Sequence, residues 1–142
     1  MKIVKLFSLV ILAGWMGVAC NNAKSEQGTG DLSSENAPVF TLKEESVYDF
    51  GTVKDGEVVE KSFAFQNTGN GPLVISNITA SCGCTTPEWP KDPIPPGGES
   101  NILVRFNTTG KPGQQSKAVT ITANTEPSVI ELHIKGVVEP KN

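Results

Sequence analysis

Val59-Glu60-Lys61-Ser62-Phe63-Ala64-Phe65-Gln66 alternates at a period of two. In an extended chain that period puts Phe63 and Phe65 on one face and Glu60, Ser62, Ala64 and Gln66 on the other, which describes a strand with one buried side. The same pattern recurs on either side. Ile102, Val104 and Phe106 share a face, as do Val119, Ile121 and Ala123, and Ile130, Leu132 and Ile134. Pro38–Leu42 and Ser46–Phe50 read as earlier strands, the second ended by Gly51. Asn67-Thr68-Gly69-Asn70-Gly71-Pro72 supplies residues that tolerate positive φ and turns the chain back into a return strand, Leu73–Ile78. Helical periodicity is missing throughout. One buried face per strand requires two sheets packed face to face, so residues 38–142 are expected to form one all-β domain, an immunoglobulin-like β-sandwich of seven or eight strands.

The N-terminal segment has a different composition. Lys2 and Lys5 precede an uncharged run that ends at Gly17-Val18-Ala19-Cys20, after which polarity returns at Asn21-Asn22. The run is too short to span a bilayer comfortably, so residues 1–19 read as a signal peptide. Small residues before a cysteine resemble the lipobox of bacterial lipoproteins. That resemblance implies a diacylglyceryl group on Cys20 and a membrane contact made by acyl chains such as palmitate. Residues 20–37, polar but for a few small apolar residues and Leu32, are too poor in apolar surface to order themselves and read as a tether with a reach of roughly 20–25 Å. The expected location is the periplasmic face of the outer membrane. Loss of Lys2 and Lys5 takes the formal charge from −3 to −5. No Lys/Arg cluster is present, which argues against nucleic acid as a partner.

Ser81-Cys82-Gly83-Cys84-Thr85 is the one cluster with chemical potential. In an oxidising compartment paired cysteines tend to become disulfides, and a Cys-Gly-Cys bridge closes a very small, readily reduced ring. Three readings stay open. Cys82 and Cys84 are structural residues at the start of a strand, or they exchange electrons with a partner thiol, or as thiolates they chelate a soft ion such as Cu(I). His133 is the only histidine and is expected to face solvent, so a four-ligand metal site has few donors and no cofactor is expected.

Pro87-Glu88-Trp89-Pro90-Lys91-Asp92-Pro93-Ile94-Pro95-Pro96 is stiff and extended and cannot be a central strand. Trp89 and Ile94, if exposed, form an apolar contact for a protein partner or a glycan. Trp89 folded over the end of the sandwich is the alternative, and it is favoured because large aromatics are on average well buried. No Ser-His-Asp set, paired acids in a defined frame or phosphate-binding glycine loop can be assembled, so no catalytic residues and no enzyme activity are expected.

Asp49-Phe50-Gly51-Thr52-Val53, Phe63-Ala64-Phe65-Gln66-Asn67-Thr68-Gly69, Pro72-Leu73-Val74-Ile75, Ser81-Cys82-Gly83-Cys84-Thr85, Ile94-Pro95-Pro96-Gly97-Gly98, Val104-Arg105-Phe106 and Ile134-Lys135-Gly136 follow one another in order. The ordered set resembles the bacterial domain of unknown function 1573 family (DUF1573) over about residues 47–138. The resemblance implies an immunoglobulin-like sandwich on exported proteins, with relatives among cilium- and centrosome-associated sandwich domains, and no established ligand. The expected role is binding or structural support at the cell envelope through loops or a sheet edge. A thiol protein working through Cys82 and Cys84, and glycan capture through Trp89, are the alternatives.

Overall fold

The computed structural model describes residues 36–141. Its elements are eight strands: β1 (Phe40–Leu42), β2 (Val47–Lys54), β3 (Val58–Asn67), β4 (Ile75–Ala80), β5 (Thr85–Glu88), β6 (Glu99–Asn107), β7 (Gly113–Ala123) and β8 (Val129–Glu139). They form two four-stranded sheets, ordered β1-β3-β6-β5 and β2-β8-β7-β4. The expected all-β sandwich is therefore what the domain adopts. Phe63, Phe65, Ile102, Val104 and Phe106 from the first sheet meet Val119, Ile121, Leu132 and Ile134 from the second, all with 1 % exposure or less. At the margin of the core, Lys61 lies on the inward side of β3. Its ammonium passes over Tyr48 and Phe63 and pairs with Glu44, so the stem covers apolar surface while the charge stays wet.

Three local expectations need correction. Leu73–Ile78 is not a return strand beside β3. β4 starts at Ile75 and pairs with β7 in the opposite sheet, so the chain crosses between layers after β3. Leu73 instead exchanges backbone hydrogen bonds with Ile94, at 2.9 and 2.8 Å. Alternation specifies which side of a strand is buried, and both sheets offer the same core to Ile75 and Ile78.

The turn after β3 likewise does not use its glycines for positive φ. A Cβ on Gly69 would overlap the Ala37 carbonyl oxygen, and one on Gly71 would overlap that of Asn36. These glycines are needed for close backbone approach. Asn36 and Ala37, assigned to the tether, thus lie against the domain, with Asn70 N–H donating to Ala37 O at 3.1 Å.

Gly51 does not end its strand either. β2 continues to Lys54 through a register shift between Asp49 and Thr52, with Gly51 at φ 68°, and pairs parallel to β8 while the other pairs are antiparallel. Pro87 obeys its constraint, since β5 is an edge strand.

Candidate functional site

The link between β4 and β5 carries the chain from the edge of one sheet to the edge of the other, and Cys82 and Cys84 sit within it. Ser81 N–H donates to Ala118 O at 2.9 Å and Ser81 Oγ accepts from Ala118 N–H at 3.1 Å, which ties the entry to β7. Asn107 N–H donates to Cys84 O at 2.9 Å, tying the exit to β6. Between them Thr85 N–H closes the turn on Cys82 O at 3.2 Å. The two half-buried cysteines form a disulfide with Cα atoms 5.3 Å apart. Cys82 Sγ lies 3.5 Å from Thr85 Oγ1, and Cys84 packs against the core. Bridged sulfurs are not thiolates. Among the described residues, no group of three or more His, Cys, Asp or Glu is gathered as a metal site.

β4 is an edge of its sheet, and its outward side is uncharged. Asn77 and Thr79 are exposed there and face Thr122 and Thr120 of β7. Because Ser81 N–H points to β7, the antiparallel alternation turns the N–H and C=O groups of Ile78 and Ala80 away from it, toward an edge that is free among the described residues. A register shift between Ile75 and Asn77 leaves Asn77–Ala80 regular. The other edges are blunted. β1 has three residues, β5 contains Pro87, and β2 is interrupted at Gly51 with Asp49 and Lys54 outward. The outer face of the first sheet is charged. Arg105 is bonded by Glu60 at 2.7 Å and by Glu88, and these carboxylates, Glu60 foremost, raise the guanidinium pKa above its ordinary value.

Trp89 and Ile94 are not brought together as an exposed pair. Ile94 is 6 % exposed and belongs to the core, held there by its two hydrogen bonds to Leu73. Trp89 is half-buried against the core, with Lys91 Nζ over its ring and a buried Nε1 that has no partner among the described residues. Its shallow surroundings include Glu88, Pro90, Ser100, Asn101 and Leu103. His133 lies on the outer side of β8 with Nε2 3.6 Å from Glu131. Cys20, the signal segment and most of the tether lie outside the described residues.

Sequence reasoning missed Asn67. Read as a turn residue, it is the last residue of β3 and fully buried. Its Oδ1 accepts from Val39 N–H (3.2 Å) and Gly69 N–H (3.1 Å), and its Nδ2 donates to Gly71 O (2.8 Å) and Ile94 O (3.0 Å). A polar residue continuing the inward series Phe63, Phe65, Asn67 was the available signal.

Two four-stranded sheets packed on one core define a β-sandwich, and the comparisons with known proteins agree with that fold. The chain belongs to the family described as "Protein of unknown function (DUF1573)", whose model matches residues 40–138. No curated protein matches the chain. Among solved structures, a Porphyromonas gingivalis W83 protein of unknown function is similar at TM-score 0.65 and 19 % identity, over 78 % of this chain and 51 % of that one. The chain therefore spans about half of that relative. The ASH/PapD-like domain 7 of human CEP192 aligns at TM-score 0.60 and 12 % identity, over 96 % and 99 % of the two chains. The secreted serine protease VesC from Vibrio cholerae aligns at TM-score 0.51 and 14 % identity, over 76 % of this chain and 24 % of VesC. At these identities the likeness is one of fold.

Proposed function

We propose that this protein is a non-enzymatic binding module, exported and held at the periplasmic face of the outer membrane by a lipid on Cys20, which takes an extended segment of an envelope protein onto the free edge of β4. The observation that carries the reading is the contrast between edges. β4 offers outward backbone groups at Ile78 and Ala80 without a charge or proline among Ile75–Ala80, whereas β1, β2 and β5 are short, interrupted or proline-bearing. Strand addition draws its affinity from such backbone groups and its specificity from the side chains beside them, here Asn77 and Thr79.

A lysine at the edge is the substitution that natural sheets use to refuse a further strand. Thr79→Lys in the lipid-anchored protein should leave melting unchanged and abolish co-purification of the envelope partner after in-cell crosslinking. Thr86→Lys, on β5, should retain it. Equal retention by both variants would remove β4 from the account.

A further inference from the structure

The Cys82–Cys84 bridge adds little as a staple. The chain entropy that a disulfide removes from the unfolded state grows with the loop it closes, and this one encloses only Gly83. The segment is held without it: Ser81 is bonded to β7, Cys84 to β6, and Thr85 N–H to Cys82 O. Gly83 is exposed and a Cβ there would meet nothing within 4 Å, so the ring opens toward solvent. A bridge of small ring size, anchored on both flanks and facing water, can open while the sandwich stays folded.

We propose that Cys82–Cys84 is a thiol–disulfide exchange site that accepts two electrons from a dithiol on an exported partner. In the first step a partner thiolate attacks Cys82 Sγ. A partner–Cys82 disulfide forms, the Cys82–Cys84 bond breaks, and its electron pair leaves on Cys84 Sγ, which takes a proton from water. In the second step the partner's other thiol, deprotonated, attacks the partner sulfur of the mixed disulfide and expels Cys82 as a thiolate. Thr85 Oγ1, 3.5 Å away, is placed to donate its proton toward that sulfur, and water then protonates it. The partner leaves as a disulfide, and this chain carries two thiols. The inference is independent of the β4 reading.

The test uses the lipid-anchored protein in detergent, with reduced dithiothreitol as the dithiol, and reads thiols by differential alkylation and mass spectrometry alongside thermal melting. Both thiols should appear under native conditions and reclose with oxidised glutathione, with the melting midpoint shifted by about 3 °C or less. Cys84→Ser should trap glutathione on Cys82. Thr85→Val, which keeps the buried shape but removes the hydroxyl, should slow the second step about five-fold through the poorer leaving thiolate, read as slower decay of the dithiothreitol–Cys82 mixed disulfide. A bridge that opens only with denaturant or together with unfolding would overturn the proposal, as would a mixed disulfide that decays as fast in Thr85→Val as in the parent.

Discussion

Asn67 Nδ2 donates to the carbonyl of Ile94 at 3.0 Å, joining the end of β3 to the proline-rich loop in the core. The same carboxamide bonds Val39, Gly69 and Gly71, so one side chain holds the N-terminal segment, the β3–β4 turn and the loop before β6. Asn67→Ala leaves buried donors and acceptors without partners, and each such group costs about 1–3 kcal/mol. We expect a total loss of about 3–5 kcal/mol, seen as a lower urea midpoint at unchanged slope.

Gly136 and Gly83 should respond oppositely to alanine. At Gly136 the new Cβ overlaps the Phe50 ring and the Gly51 carbonyl oxygen, and such overpacking typically costs about 1–3 kcal/mol. At Gly83 the space is open, and Gly83→Ala should change stability by less than about 1 kcal/mol, in the stabilising direction through a less flexible unfolded chain. Thermal melts of the two variants check the pair.

Trp89 is expected to act as a core cap. Trp89→Ala should cost about 2 kcal/mol, below the range for fully buried aromatics because the ring is half-buried. Trp89→Phe keeps a ring and removes the buried Nε1–H, which has no partner among the described residues, so it should cost less than about 1 kcal/mol. A glycan screen in which Trp89→Phe loses binding without losing stability would contradict this role.

The alternation that exposed the strands encodes only which side of each one is buried. Phe63, Phe65, Ile102, Val104 and Leu132 were legible for that reason, as was the exclusion of Pro87 from a sheet centre. Pairing partners were not legible. β4 joining β7 and β2 lying parallel to β8 depend on contacts between residues far apart in the chain, and a strand with one apolar face suits either sheet. The Cys82-Gly83-Cys84 segment was visible as chemistry, but its place at the crossing between sheets was not. Trp89 and Ile94 lie five residues apart in one stiff loop, yet the bridge to Leu73 draws Ile94 alone into the core.

Glu44 provides a pH-dependent contact. Its side-chain bond to Lys61, and then the Ala64 N–H bonded at 3.1 Å, hold its carboxyl below the ordinary carboxylate range. A carboxyl lowered in the folded state contributes stability that is present above its unfolded pKa and lost as pH falls through the lowered folded value. The site is exposed, so the contribution is less than about 1 kcal/mol and weakens with salt. The difference in urea midpoint between the parent and Glu44→Gln should be constant near neutrality and vanish in strong acid.

Partner contact at β4 is tested most directly by placing a photo-crosslinking side chain at Thr79, and separately at Thr86, in the full-length protein in intact cells. Crosslinks from Thr79 that map to one extended segment of an envelope protein, with none from Thr86, are the predicted result. Crosslinks confined to Thr86, or the same products from both positions, would contradict binding at the β4 edge.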